Sequence, residues 1–356
     1  MSVRLGIIGA GAIGEVHANA ADKAGTKVAA IADLDLARAT TLADKYDGCV
    51  STDKIETLLA DEAVDAVVVC VPNRWHKELA IQAMQAGKDV LLEKPMGLNA
   101  TECAEINAAA AETKRILQVG MVYRYSSAGQ AARQVVASGD LGTVYHAKAH
   151  LYRRRGVPGL GGWFTTKALS GGGPLIDLGV HIIDMTSWLM GFPKPERVSG
   201  KVYSYFGNRM NDYVYEDMWA GPPKLDGTCD VEDSAHAMIH FEGGCSLDLQ
   251  VSWAINMPTP NMDSAETIGI FGDRGGLTFK LFGDHVDVAT EQYGRNVDER
   301  ILLTKSDQFV EQAKVFAHSV KTRETPPSTG EQGLIVQTII DSIYQSSDTS
   351  QEVTLA

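Results

Sequence analysis

Three separated segments of this 356-residue chain carry side chains that could transfer a proton and a hydride. Lys94 follows an apolar run and precedes Pro95, and an ammonium there could donate to a substrate oxygen and favour a developing alkoxide. His181 could take the proton of a hydroxyl, because an imidazole titrates near neutral pH. Asp177 lies four residues before His181 and could fix the substrate. Together these residues predict oxidation of an alcohol, or the reverse reduction, with a bound hydride carrier.

A second carboxylate follows the candidate base. Asp184 lies three residues after His181, so a helix over 180–190 could project Asp177, His181 and Asp184 to one side. Asp184 could hold the second ring nitrogen of His181, as the orienting carboxylate does in a triad, or it could be an ordinary helix residue. The same spacing offers hard metal ligands, but no second histidine or cysteine cluster accompanies it. We therefore expect no metal site.

A glycine-rich loop near the start of the chain predicts where the hydride carrier binds. Gly9, Gly11 and Gly14 form a GxGxxG pattern after an apolar strand and at the start of a helix. In this arrangement the backbone N–H groups of the loop, with Ala12 and Ile13 at the helix start, can approach a pyrophosphate. The GxGxxG pattern alone is common, so its position between a strand and a helix is what supports a dinucleotide site.

An acidic residue at the end of the next strand supports this interpretation. Asp33 lies about 20 residues after Gly14, where a carboxylate accepts hydrogen bonds from the ribose 2′-hydroxyl and repels a 2′-phosphate. This favours NAD over NADP. In the competing interpretation Asp33 is a helix N-cap. Asp35 and Arg38 could also rearrange the ribose contacts, and Arg38 could tolerate a 2′-phosphate, so NADP stays an alternative.

Other residues follow strands at the same carboxyl edge, where ligands bind in parallel sheets. Pro72, Asn73 and His76 come after a predicted strand at 66–71 and could contact nicotinamide or ribose. Equally, Asn73 could cap a helix and His76 could be a surface imidazole. Glu93 and Lys94 follow the strand at 89–92, and we expect them on the cofactor side as well.

The elements that position these residues differ between the two halves of the chain. Over the first 122 residues, β-branched runs alternate with alanine-rich stretches, which predicts a doubly wound parallel sheet. Its strands are predicted at 4–8, 27–32, 66–71, 89–92 and 116–119, and its helices at 14–24, 36–45, 54–60, 77–86 and 100–112. Later, a helix at 127–138 precedes alternating runs that predict hairpins, at 143–153, 198–206, 234–241, 246–255, 266–271 and 277–281. Helices at 308–321 and 333–344 close the chain.

Composition narrows the class of partner. A net charge of −13 opposes binding to nucleic acid or to an anionic membrane surface, and no apolar run is long enough to span a bilayer. The five cysteines are odd in number and scattered, which argues against a disulfide framework and favours a reducing cytoplasm. Because the glycine loop already begins at Gly9, we expect no signal peptide ahead of the fold.

An arginine run stands out in this acidic chain. Arg153, Arg154 and Arg155 could recognise hydroxyls or a carboxylate, but alternate residues of a strand face opposite sides. We therefore expect a mainly solvated run in which Arg153 or Arg155 could reach a pocket. Tyr152 and Trp163 could supply an apolar platform for a sugar ring, or they could be core residues.

Three motifs resemble those of the glucose-fructose oxidoreductase and inositol dehydrogenase (Gfo/Idh/MocA) family: GAGAIG at 9–14, EKP at 93–95 and GGGPLIDLGVHIID at 171–184. The resemblance covers essentially the whole chain. It implies an N-terminal NAD(P)-binding Rossmann domain and a C-terminal domain whose open sheet supports a substrate pocket and often oligomer contacts. By match to these motifs, Lys94, Asp177 and His181 would form the catalytic set, and Glu93 would be mainly structural.

The fold class expected from both arguments is an α/β Rossmann domain, residues 1–122, followed by an α+β domain, residues 123–356, with a large open, mainly antiparallel sheet. We expect the second domain to bind substrate and to support oligomerisation. Family members differ in segments that select the substrate, which here include Tyr123 and Arg124, residues 153–164 and a loop at 207–228.

The expected function is NAD-dependent oxidation of a ring secondary hydroxyl of a sugar, glycoside or cyclitol by a homodimer or homotetramer. Three alternatives stay open. The same residues could run in reverse in an NADPH-dependent keto-sugar reductase. The cofactor could remain bound and shuttle hydride between two sugars. The chain could also be a non-catalytic nucleotide-binding regulator.

Overall fold

The computed structural model describes residues 2–215, 218–258 and 265–355. Its strands, β1–β15, are Arg4–Ile8, Lys27–Ala32, Val50–Thr52, Ala66–Val69, Asp89–Leu92, Leu117–Val119, Val144–Tyr152, Pro195–Tyr203, Ser234–Phe241, Ser246–Ser252, Glu266–Gly272, Gly275–Lys280, His285–Gln292, Arg295–Leu302 and Val353–Thr354. Its helices, α1–α10, are Ala12–Lys23, Leu36–Ala43, Ile55–Ala60, His76–Gln85, Ala100–Thr113, Ser127–Ser138, Lys167–Ser170, Val180–Leu189, Gln308–Thr322 and Gly330–Thr349. A π-helical turn, Leu175–Gly179, precedes α8.

The chain divides into two compact units. The first contains the residues up to Tyr125 together with Asp307–Leu334, and the second contains Ser126–Ser306 with the residues from Ile335 onward. Residues 307–334 were expected in the second domain. They cluster with the first unit because α9 buries Phe316 in the core below the parallel sheet and packs Val310 and Ala313 against α1.

The first unit is built on a six-stranded parallel sheet in the order β3-β2-β1-β4-β5-β6. Strands β1 and β4 are almost entirely buried, as expected when helices cover both faces of a parallel sheet. The sequence pattern missed β3, a three-residue edge strand that is too short to show a period. The order reverses at β1, and at such a point ligands bind beyond the carboxyl ends of the strands.

The second unit contains a nine-stranded sheet in the order β14-β13-β12-β11-β7-β10-β9-β8-β15. All neighbouring strands pair antiparallel except β7 and β10, which are parallel. The predicted fold class is confirmed. The pattern missed β13 and β14, which meet at Tyr293 and Gly294, both with positive φ as a two-residue hairpin turn requires.

The two faces of the second sheet differ in burial. On β7 the buried residues Ala147, Ala149 and Leu151 alternate with His146, Lys148 and His150, which are partly or fully exposed. Helices α6 and α8 contact this sheet. Consequently one face carries the core of the unit and the other is open.

None of the helices in the described parts of the chain is long and apolar enough to cross a membrane. All five cysteines lie in these parts and are free thiols.

Candidate active site

The three glycines of the loop between β1 and α1 have different surroundings. Gly9 has φ +104°, and a Cβ there would lie 2.4 Å from the carbonyl oxygen of Cys70. A Cβ on Gly14 would lie 1.9 Å from the carbonyl oxygen of Gly9. A Cβ on Gly11, by contrast, would meet no protein atom within 4 Å. Gly9 and Gly14 therefore allow close approach of neighbouring backbone, whereas Gly11 leaves open space in front of the α1 N-terminus.

The open space at Gly11 fits a dinucleotide phosphate. Gly11 is the N-cap of α1 and offers no side-chain acceptor to the first turn, which begins at Ala12 and Ile13. The first N–H groups of a helix lack intrahelical partners and carry partial positive charge, so they favour an anionic ligand. The residues present therefore fit the pyrophosphate of NAD(P).

Asp33 lies directly after β2 and is joined to the glycine loop. Its Oδ2 accepts a hydrogen bond of 2.8 Å from the Ala10 N–H, and its Oδ1 accepts one of 2.9 Å from the Asp35 N–H. The N-cap of α2 is Asp35, whose side chain accepts from the backbone of Ala37 and Arg38. The competing interpretation of Asp33 as the N-cap is therefore wrong. Arg38 Nη1 lies 3.6 Å from Asp33 Oδ2, and Arg38 is exposed.

The three candidate cofactor residues that follow β4 differ in burial and in the atoms they contact. Pro72 is half-buried and Asn73, in a short 3₁₀ turn, is buried. His76 is 1 % exposed; its Nδ1 lies 2.7 Å from the Pro95 carbonyl oxygen and its Nε2 2.9 Å from that of Val71. Burial lowers the pKa of His76, opposed by the hydrogen bonds to Pro95 and Val71. The surface-imidazole interpretation is therefore wrong, and both ring nitrogens join backbone segments rather than reach toward a cofactor.

Glu93 and Lys94 follow β5 at the same edge. Glu93 is buried; its Oε1 lies 2.7 Å from His17 Nε2, and its Oε2 accepts from the Lys94 N–H at 3.1 Å. Burial raises the pKa of the Glu93 carboxyl, but the hydrogen bond to His17 and the charges of His17 and Lys94 outweigh burial, so the pKa is lowered overall. Lys94 is half-buried, and the Lys94–Pro95 peptide is cis.

His17 was missed by the sequence interpretation. It lies on α1 one turn after Gly14, packs edge-on against Phe309 and is almost fully buried. Its position on the helix that follows the glycine loop was the available signal. Through Glu93, His17 joins that helix to the backbone of Lys94.

In the second unit a continuous helical segment carries the other candidate catalytic residues. Asp177 lies in the π-helical turn, and His181 and Asp184 lie on α8, so the helix predicted at 180–190 is confirmed. All three are buried, with Asp177 and His181 each 8 % exposed. The π turn was not predicted. It changes the spacing ahead of His181, and such turns are frequent at functional sites.

Trp253 orients Asp177. Its indole Nε1 donates a hydrogen bond of 3.0 Å to Asp177 Oδ2, and the ring is 1 % exposed. Trp253 directly follows β10, and no motif marked it in the sequence. A buried carboxylate held by a charge-assisted hydrogen bond keeps a defined direction.

The arginine run resolves into residues with different roles. Arg155 donates from Nη1 to the carbonyl oxygens of Arg154 and Ile255 and from Nη2 to Asn256 Oδ1, and its guanidinium lies over Phe206. Arg155 is thus committed to a loop contact. Arg154 is exposed, whereas Arg153 is half-buried and makes no ion pair or side-chain hydrogen bond with any residue that the structure describes.

The aromatic candidates occupy different surroundings. Trp163 is half-buried, with its ring centroid 3.7 Å from that of Phe164, which in turn packs edge-on against Trp219. Tyr152 is buried, and its hydroxyl donates to Gln250 Oε1. Tyr152 is therefore committed to protein contacts, with its ring stacked on His150, and Trp163 retains a partly open ring.

Arg124 was expected to bind substrate, and the structure buries it instead. The side chain is 1 % exposed, and Nη1 donates to the Pro327 carbonyl oxygen at 2.7 Å and to Gln332 Oε1 at 2.6 Å. It joins residues after β6 to the segment ahead of α10 and to the first turn of that helix, a contact over some 200 residues that the local sequence does not reveal. Tyr123 beside it is half-buried.

Each unit thus holds one part of the predicted site. In the first, the glycine loop, Asp33, Asn73 and Lys94 all follow carboxyl ends of neighbouring strands. In the second, Asp177 and His181 share one helical segment. Within the described residues, no group of three or more His, Cys, Asp or Glu side chains is arranged to hold a metal ion.

Comparison with known proteins places the chain among oxidoreductases. Residues 3–121 match the "Oxidoreductase family, NAD-binding Rossmann fold", and residues 130–278 match the "GFO/IDH/MocA C-terminal domain". The chain is 31 % identical to D-glucoside 3-dehydrogenase of Escherichia coli (strain K12) across 99 % of this chain and 97 % of that protein.

Two further similarities cover different extents. Inositol 2-dehydrogenase of Corynebacterium glutamicum (strain R) is 31 % identical over 53 % of this chain and 55 % of its own length. The solved structure of levoglucosan dehydrogenase with NADH and levoglucosan superposes with a TM-score of 0.86 over 99 % of both chains at 20 % identity, which shows the shared fold.

Proposed function

The chain belongs to the Gfo/Idh/MocA family of NAD(P)-dependent oxidoreductases, and from this premise we propose that it oxidises a ring secondary hydroxyl of a glucoside, another sugar or a cyclitol with NAD. The observation that carries the proposal is the hydrogen bond from the Trp253 indole to Asp177, in the same helical segment as His181. A carboxylate oriented in this way suits the binding of a sugar hydroxyl. The relative named D-glucoside 3-dehydrogenase supports the substrate class.

Each candidate residue has a defined task in this reaction. NAD, when bound, supplies the hydride acceptor. His181 accepts the proton of the reacting hydroxyl at a ring nitrogen, and Lys94 donates a hydrogen bond to its oxygen as negative charge develops. Asp177 accepts a hydrogen bond from the reacting or a neighbouring hydroxyl, and Trp253 holds the Asp177 carboxylate in direction.

Cofactor selectivity rests on Asp33. Both of its oxygens are held by backbone N–H groups of the glycine loop and the α2 start, so the charge stays where an adenine ribose would approach. NADP is the second candidate, because the exposed Arg38 lies next to Asp33. Binding constants for NADH and NADPH, measured on the wild type and on Asp33→Ala, separate the two. Tighter NADPH binding by the wild type would refute the assignment.

On the substrate side, Arg153 and Trp163 are the best supported contacts among the described residues. Arg153 is half-buried without a protein partner there, so a ligand oxygen could satisfy it, and Trp163 offers a partly exposed ring. The structure commits Arg155 and Arg124 to protein contacts instead.

Oligomerisation through the open sheet face is the remaining part of the proposal. His146, Lys148 and His150 on β7, with Met238 on β9, leave a mixed polar and apolar surface on that side. We expect a homodimer or homotetramer in a reducing cytoplasm. Light scattering of the wild type and of Met238→Glu tests this, and a wild-type monomer would refute it.

The activity test is a screen of the purified protein with NAD against methyl glucosides, glucose and myo-inositol, following NADH absorbance. His181→Ala and Lys94→Ala should each lose at least about 100-fold in kcat. His318→Ala, an exposed histidine on α9, is the matched control and should keep wild-type turnover. Undiminished turnover in both active-site variants would refute the mechanism.

A further inference from the structure

The triple glycine ahead of Asp177 is shaped by two residues that no motif marks. Gly171 ends α7 with φ +86°. A Cβ on Gly172 would lie 2.0 Å from the hydroxyl oxygen of Tyr344, and a Cβ on Gly173 would lie 1.9 Å from the carbonyl oxygen of Glu232. The second and third glycines therefore make room for Tyr344 and Glu232.

Glu232 holds the start of the helical segment that carries Asp177. Its side chain is buried, and Oε1 accepts from the Leu175 N–H at 3.1 Å and from the Tyr344 hydroxyl at 2.9 Å. Leu175 is the first residue of the π-helical turn. Unpartnered N–H groups at a helix start require an external acceptor, and Glu232 supplies one from a remote part of the chain. Burial raises the pKa of the Glu232 carboxyl, partly offset by hydrogen bonds that include those from Tyr344 and Leu175.

The next residue reaches Asp177 by a second route. The carbonyl oxygen of Asp233 accepts from the Trp253 N–H at 3.0 Å, and the Trp253 indole donates to Asp177. Asp177 itself donates its backbone N–H to the Gly173 carbonyl oxygen at 3.0 Å. Glu232 thus holds Leu175, two residues before Asp177, and Asp233 connects to the Asp177 carboxylate through Trp253.

We propose that Glu232 is a positioning residue for the reaction, which sets the place of Asp177 and His181 by fixing the start of their helical segment. The proposal rests on the function proposed above for these two residues. Glu232 does not contact the reacting atoms. Its loss is expected to displace the segment, and a displacement of about 1 Å in a catalytic group costs on the order of 100-fold in rate.

Two substitutions separate the hydrogen-bond acceptor from the bulk of the side chain. Glu232→Gln keeps a carbonyl oxygen for Leu175 and Tyr344, so kcat should stay within about threefold of wild type. Glu232→Leu keeps similar bulk without an acceptor, and kcat should fall about 100-fold. The Kd for NADH, from fluorescence titration, should not change, because the cofactor residues lie in the other unit. Glu242→Leu, an exposed glutamate beyond β9, is the control and should leave kcat unchanged.

The assay follows NADH formation with methyl β-glucoside or myo-inositol, whichever the wild type oxidises faster. In a His181→Ala background, Glu232→Leu should cost clearly less than its roughly 100-fold effect in the wild type, because the part of that effect that acts through His181 is already lost. If Asp177→Ala and His181→Ala keep wild-type turnover, the function proposed for the site fails. If they lose turnover while Glu232→Leu keeps wild-type kcat, or loses the same factor in the His181→Ala background, the positioning role is overturned.

Circular dichroism establishes whether Glu232→Leu folds. If it does not, Tyr344→Phe takes its place, because it keeps the ring and removes only the hydroxyl that donates to Glu232. A fall in kcat of about tenfold with an unchanged Kd for NADH supports the positioning role. Wild-type kcat in Tyr344→Phe overturns it.

Discussion

Replacing Trp253 with phenylalanine keeps an aromatic ring in the core and removes the indole N–H that donates to Asp177. The hydrogen bond is 3.0 Å long, and both side chains are buried, so water cannot readily replace the donor. A hydrogen bond to a charged group contributes roughly 1.5–3 kcal/mol. The smaller ring also leaves a cavity, which adds to the cost of folding.

Trp253 has two alternative roles, and they differ in whether the loss of the hydrogen bond raises the activation free energy or lowers the free energy of unfolding. If the indole orients Asp177 for the reaction, the loss raises the activation barrier, and kcat should fall roughly 10- to 150-fold. If the bond serves only folding, kcat per folded molecule should stay unchanged, while Tm falls by roughly 3–12 °C. We expect kcat to fall within the first range and Tm to fall by less than a purely structural role would require.

The assay measures NADH formation at saturating sugar together with thermal melting. Trp188→Phe is the matched control, because its ring packs beside the Arg133 guanidinium rather than on Asp177. In an Asp177→Ala background there is no bond left to remove, so Trp253→Phe should have little further effect on kcat. Wild-type kcat in Trp253→Phe, or an undiminished loss in the Asp177→Ala background, would refute the reasoning.

Three further predictions concern other parts of the site. Gly11→Ala should keep the wild-type Tm and weaken NADH binding at least about tenfold, because the new Cβ meets only the space left for the cofactor. Gly14→Ala should instead lower Tm by more than about 5 °C, because its Cβ clashes with the Gly9 carbonyl oxygen. Fluorescence titration with NADH and melting curves distinguish the two outcomes. Arg153→Met should raise KM for the sugar about tenfold with little change in kcat, and an unchanged KM would exclude Arg153 from the substrate site. Glu93 has a lowered pKa in the folded state, so its contribution to stability is present above the ordinary glutamate pKa near 4.3 and is lost as pH falls through the folded-state pKa. The Tm difference between wild type and Glu93→Gln should therefore shrink below about pH 4. A difference that stays constant with pH would contradict the His17–Glu93 pairing.

Local features of the site could be predicted from the sequence because their cause is local. Gly9 and Gly14 lie in one turn, and the contacts that require glycine at each of them arise where that turn meets its own helix and the neighbouring strand. Asp177 and His181 were found in the same way, since four residues along a helical segment keep them near each other. Asp33 was placed correctly after β2, although the cap of the next helix is Asp35.

Residues whose roles depend on distant partners could not be assigned. His76 and Arg124 were expected to contact ligands, yet the protein occupies their polar atoms. One ring nitrogen of His76 meets the Pro95 carbonyl oxygen, and the Arg124 guanidinium donates to Pro327 and Gln332, some 200 residues away. Arg153 and Arg155 lie two residues apart just after β7 and are both half-buried. They differ because the remote segment at Ile255 and Asn256 supplies hydrogen-bond acceptors to Arg155 alone. Trp253 and Glu232 carried no signal, because their partners lie 76 and 57 residues away.

By itself the sequence determined the order of the elements, the parallel and antiparallel character of the two halves, and the residue types available for proton and hydride transfer. These follow from hydrophobic periods and short motifs, which depend on neighbours a few residues apart. The tertiary structure decided which polar side chains are held by the protein and which are left for a ligand. That distinction depends on burial and on hydrogen-bond partners from remote segments, and buried polar groups must find such partners wherever the fold brings them.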